Sequence, residues 1–192
     1  MGILDALPYA FAILLAVVFF IQLVKRPWAR RIARPAFFIA FIGATAWSVY
    51  VSYLQYQAFG AGPLGLTLRT VEGISWFTGY VRLHFWNTYL VSLIAAFLLI
   101  FIAQYFHNRR GKVFFEDEEL YLAALGIFTV GYPGIFGYIL SMLFLPAIAA
   151  ALFLKKGERM PLYYFWMPVA IGVIVATELW AVDQSWWNSF RF

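Results

Sequence analysis

Between Leu120 and Leu154 the chain runs for 35 residues without one charged side chain. As a single helix that stretch would measure about 52 Å at 1.5 Å per residue, against the roughly 30 Å hydrocarbon core of a bilayer. It is too apolar to lie in water and too long to cross a membrane once, so it must fold back on itself. Gly131-Tyr132-Pro133-Gly134 supplies the turn, because glycine and proline together interrupt a helix where the chain must reverse. The flanking charges agree. Lys155, Lys156 and Arg159 belong on the same side as Arg109, Arg110 and Lys112, since basic loops gather on one face of a membrane. Two crossings follow: a short helix over Leu120–Val130 and a full one over Gly134–Leu154.

Similar arithmetic places the other spans. Leu7–Val24, Ala36–Ala58, Phe85–Phe106 and Leu162–Val182 each have the length and apolarity to cross. Leu7–Val24 is read as a span and not a cleavable leader, because no basic residue precedes it and no small-residue cleavage site follows it. The basic cluster Lys25, Arg26, Arg30, Arg31, Arg34, punctuated by Pro27 and Pro35, reads as the first loop. The fold class expected is all-α: a polytopic helical membrane bundle of about six transmembrane helices, one integral membrane domain over residues 1–192. Eleven of the fourteen Lys and Arg then share one side. That orientation puts both termini outside the cytoplasm of a cell inner or plasma membrane.

The composition supports this solvent. Hydrophobic residues make up 64% of the chain and charged residues 12%, against roughly 45–50% and about 25% in soluble domains. The +5 net charge would otherwise raise nucleic acid as a partner, but the basic residues lie in short clusters between apolar runs, so the lipid bilayer is the partner and nucleic acid is not. The outer connector carries Leu68, Val71, Ile74, Phe77 and Val81 at helical spacing. Leu66–His84 therefore reads either as a short helix in the outer interface or as a solvated connector, with Gly73 and Gly79 against the helix.

Few residues are equipped for chemistry. With no cysteine there is no thiolate metal site and no cysteine nucleophile. His84 and His107 stand at opposite ends of one span, about 35 Å apart along a helix, so they cannot share a haem iron or a metal. Neither a cofactor nor a metal is expected. Ser92 and Ser141 lack a nearby histidine, and such hydroxyls usually bond back to their own helix. Glu178, near the outer end of the last span, is expected to meet a polar group such as Arg69, Arg82 or a backbone group. The acidic run Glu116-Asp117-Glu118-Glu119 stands at the start of the short fourth helix, where the helix dipole favours negative charge.

The run Arg110-Gly111-Lys112 through Glu116-Asp117-Glu118-Glu119 into Leu122-Ala123-Ala124-Leu125-Gly126, followed by Gly131-Tyr132-Pro133, resembles the core of type IV prepilin peptidases. Gly157-Glu158-Arg159-Met160-Pro161 and, more weakly, Arg30-Arg31-Ile32-Ala33-Arg34-Pro35 resemble two further segments of that family. The resemblance implies an intramembrane aspartyl peptidase fold, with two carboxylates sharing a proton. Glu118 falls where the family's motif aspartate stands, eight residues before Gly126. Both motif glycines are replaced, by Phe115 and Asp117. The second aspartate should precede Ile32 or Pro35 by a few residues, where this chain has Lys25, Arg26, Pro27 and Trp28. The candidate catalytic residues are thus Glu118, Asp117 and Glu158, with a cation where the partner acid should be.

Three functions are consistent with this reading. The first is a divergent, non-catalytic prepilin-peptidase-like protein, a pseudoenzyme that binds or helps assemble pilin-type or other hydrophobic membrane helices. The second is a structural or assembly subunit of a larger membrane complex. The third is an active peptidase using Glu118 and Glu158.

Overall fold

The computed structural model describes residues 6–62, 65–110, 117–153 and 162–180. They form α1 (Ala6–Val24), α2 (Arg26–Ala61), α3 (Val71–Val81), α4 (Asn87–Arg110), α5 (Asp117–Val130), α6 (Gly134–Phe153) and α7 (Trp166–Leu179). Tight helical turns at Thr67–Arg69 and Leu162–Tyr164 precede α3 and α7. No strand occurs among the described residues. Five helices are long and apolar enough to cross a membrane: α1, α2, the rod made by α3 and α4, α6, and α7 with its leading turn. The chain is an all-α helical bundle with the make-up of a multi-pass membrane protein.

At its centre stands a short helix. α5 has 14 residues, about 21 Å, less than a bilayer core. It survives because it meets protein on nearly every side. Leu120, Leu122, Ala123, Ala124, Leu125, Ile127 and Phe128 are all buried, as a helix apolar all round its circumference requires. α2 approaches the bundle along Ala29, Ala33, Ala36, Ala40 and Ala44, all buried and spaced three or four apart. Small residues at that spacing let helix backbones come close. Phe128 is the hub of the packing, with ring centres of Phe11, Phe37, Phe41 and Tyr89 all 5.9–6.3 Å away. Gly126, two residues earlier and on another face, receives the ring of Tyr138 from α6. A Cβ there would overlap the Tyr138 hydroxyl and lie 2.6 Å from its Cζ.

Two sequence expectations need correction. The basic segment Lys25–Pro35 is not a loop, since α2 is helical from Arg26 to Ala61 with Pro35 inside it. Pro27 occupies the first turn, where its missing N–H is no loss. The helix that carries the second span therefore starts well before Ala36. The connector reading of Leu66–His84 also fails. The chain is helical from Val71, and α3 passes through a wide π-type turn at Arg82–Trp86 straight into α4, so the helix that carries the third span begins at Val71, well ahead of Phe85. Nor does this segment lie across the interface alone, because it stands antiparallel to the end of α2. Phe59 meets Phe77 and Tyr80 at 5.7 and 5.4 Å, and Trp86 Nε1 donates to the Ser52 hydroxyl at 3.2 Å. Gly73 does not weaken this helix but permits it. The Thr70 hydroxyl caps the Gly73 N–H at 3.1 Å, and the Thr67 carbonyl lies where a Cβ on residue 73 would be.

The turn after α5 is where the sequence put it. α5 stops at Val130, Gly131 takes φ +72°, the Tyr132–Pro133 peptide is cis, and α6 starts at Gly134. At the other end, Gln22 on α1 donates through Nε2 to the Tyr163 carbonyl at 2.5 Å. That bond ties the end of α1 to the start of α7. The bundle therefore has a basic end, holding Lys25, Arg30, Arg31 and Arg34 at the start of α2, and a far end, holding the Gly131–Gly134 turn.

Candidate functional site

At the basic end, Asp117 and Glu118 open α5, but their side chains lie outside the described part of the structure. Glu158 and the whole Lys155–Arg159 segment also lie outside the described residues. One cation of α2 reaches α5. The Arg34 guanidinium on α2 sits 6.0 Å from the ring centre of Tyr121 and 5.9 Å from that of Phe38. Both are distances at which a ring face attracts a cation. Lys25 lies over Trp28 at 5.1 Å in the same way. The first turn of α5 thus stands beside the basic turns of α2. Among the described residues no group of three or more His, Asp or Glu could hold a metal ion. The two histidines keep their separation along the continuous α3–α4 rod, and His84 packs its ring 4.3 Å from that of Tyr80.

A second feature lies between α6 and α7. The two helices touch near the far end, where added Cβ atoms at Gly134 and Gly137 would meet Val173 at 3.7 and 3.8 Å. Tyr138 then donates from its hydroxyl to the Trp166 carbonyl at 3.3 Å. Beyond these contacts the helices part and leave an open groove of about 560 Å³. Its walls are Leu145, Ile148 and Leu152 on α6, Val169 and Val173 on α7, and Phe165 just before α7. Small residues line it as well: Ala149, Gly172 and Ala176. An added Cβ on Gly172 would meet nothing within 4 Å. The Ser141 hydroxyl is the main polar group, so the groove is built for an apolar guest.

The third feature is a small polar cup at the far end. It has a volume of about 50 Å³ and is lined by Thr88, Thr129, Tyr132, Thr177 and Glu178 together with the turn. Half-buried Glu178 therefore has polar surroundings, as its position in the last span suggested, but Arg69 and Arg82 are not among the lining residues. Sequence reading singled out Glu178 and the Gly-Tyr-Pro-Gly turn without joining them. The three threonines come from three helices, and each alone reads as a helix-bonded hydroxyl. Thr129 does bond back, to the Leu125 carbonyl at 2.8 Å.

Comparison with protein-family models, curated proteins and solved structures gives no match to this chain.

Proposed function

We propose that the protein is a non-catalytic membrane subunit that receives an apolar transmembrane helix of a partner, of the pilin type or similar, in the groove between α6 and α7. The observation that carries this is the groove itself, open and lined in part by the small residues Ala149, Gly172 and Ala176. Without a hydrophobic drive in lipid, helices associate where small residues admit a close backbone. From Phe165, at the N-cap of α7, to Ala176 is about 16 Å, three turns of contact for an incoming helix. The resemblance to prepilin peptidases supports a helical substrate-like partner. Lys25 and Arg26, standing in the sequence where the family's second acid should be, support the non-catalytic half, because a cation cannot share a proton with a carboxylate as a second acid does.

Gly172→Leu tests this without touching the core. Co-expressed with a pilin-type precursor carrying its apolar N-terminal helix, the wild-type protein should retain the precursor at full length on purification. The Gly172→Leu protein should retain at least about tenfold less, a loss of about 1.4 kcal/mol, while melting at an unchanged temperature. Equal retention by both proteins, or a shortened precursor, contradicts the proposal.

The orientation proposed is that the basic end faces the cytoplasm of the inner or plasma membrane, leaving both termini outside. The absence of cysteine makes the check direct. Single cysteines at Arg30, Arg110 and Lys156 should all label from the cytoplasmic side and none from outside. Opposite labelling of Lys156 alone would mean that the chain from α5 to α6 crosses once.

A further inference from the structure

The wall of the groove between α6 and α7 is apolar except at Ser141. We propose that Ser141 is a specificity-determining residue, whose hydroxyl pairs with a neutral polar side chain, an amide above all, that the incoming helix carries at the same depth. This rests on the reading of the groove as the seat of a partner's helix, and it says which helices the groove prefers.

The fate of the other helical hydroxyls carries this. Thr45, Ser52, Thr78, Ser92 and Thr129 each donate to the carbonyl four residues earlier, at 2.5–2.9 Å. Such a bond keeps a hydroxyl occupied within its own helix. Ser92 thus meets the expectation drawn from the sequence, and Ser141 does not. Its hydroxyl makes no hydrogen bond with any described residue, and the side chain lies half-buried on the groove wall. Ser141 stands seven residues past Gly134, the first residue of α6, which is about 10 Å along the helix. At that depth in a bilayer neither water nor lipid tails can satisfy a hydroxyl, so a polar group on the guest gains a bond that the empty groove lacks.

Charge and space narrow the class of that group. Among the described residues no Asp, Glu, Lys, Arg or His lines the groove. An ionised side chain would enter it without an opposite charge, which is costly inside a membrane. A hydroxyl both donates and accepts, and so does an amide, whereas an aliphatic side chain does neither. Gly172 lines the same groove, and the open space where its Cβ would stand leaves room for a guest side chain.

The test reconstitutes the full chain in liposomes with synthetic leucine–alanine transmembrane helices, their ends fixed by lysines. Each helix carries one asparagine at a chosen depth, or none, and a dansyl group that accepts energy from the protein's tryptophans. The helix with asparagine at the depth of Ser141 should bind about three- to tenfold more tightly than the all-apolar helix, the range of a hydrogen bond between helices in a membrane. Asparagine two turns away should give no gain. Ser141→Ala should lower the preferred helix to the affinity of the all-apolar one, whose own binding stays unchanged, and Ser141→Thr should keep a preference. Gly172→Leu should weaken both helices. Equal binding of all helices by the wild type, or a preference undiminished in Ser141→Ala, overturns the proposal and leaves the groove as a helix seat. Binding of no helix at all overturns the seat and the proposal together.

Discussion

Replacing Gly126 by alanine should destabilise the bundle by about 2 kcal/mol, the reverse of what helix propensity says. In an exposed helix interior alanine is better than glycine by about 1 kcal/mol. Here the new methyl group would overlap the Tyr138 hydroxyl. That hydroxyl cannot swing aside, because Tyr138 is 1% exposed and donates to the Trp166 carbonyl. Overpacking a well-filled core costs about 1–3 kcal/mol. The decisive measurement is a double-mutant cycle on reversible unfolding. With Tyr138→Leu in the background the penalty of Gly126→Ala should largely vanish, giving a coupling of about 1–2 kcal/mol. A penalty equal in both backgrounds would mean that Gly126 matters for some reason other than the approach of α6. The glycine that contributes to the resemblance to prepilin peptidases thus has a packing reason of its own.

Phe128→Ala should cost still more, about 3–5 kcal/mol. Its ring is 1% exposed and meets rings from α1, α2 and α4. Transfer from water contributes little inside a membrane, so the loss is one of packing. Four helices would keep their positions around a void that neither lipid nor a neighbouring ring can fill. Against a total of about 5–15 kcal/mol for a typical domain, this removes much of the stability. Phe101→Ala is the matched control. That ring is 70% exposed on α4, and its removal should change stability by less than about 0.5 kcal/mol. Similar losses at both positions would mean that α5 is not the centre of the bundle.

Much of the architecture was legible because bilayer thickness sets a ruler on the sequence. The reversal at Gly131–Gly134 follows from an uncharged run too long for one crossing, and α5 and α6 lie where that argument placed them. The errors came from residues whose local preference is overruled by neighbours. Pro35 and the arginines around it read as loop, yet α2 carries them in helix, with Arg34 laid over Phe38 and Tyr121. Long basic side chains can keep an apolar stem against rings while the charge stays near water. Gly73 read as a helix breaker, when a carbonyl six residues earlier needs the space. The cup and the groove were hidden for another reason. Thr88, Thr129 and the Thr177–Glu178 pair belong to three different helices, α4, α5 and α7, and the parting of α6 from α7 is a property of their packing. No local period in the sequence records either.

The central claim is that the groove between α6 and α7 holds a partner's helix and does not merely face lipid. Site-specific photo-crosslinking in intact membranes tests it most directly, with a photoreactive residue at Ile148 in the groove and another at Ile13 on the outer face of α1, 66% exposed. With a pilin-type precursor present, the account predicts a discrete adduct to the precursor's apolar helix from position 148, lost in Gly172→Leu, and only lipid adducts from position 13. Lipid adducts alone from both positions, or the same precursor adduct with and without Gly172→Leu, would contradict it.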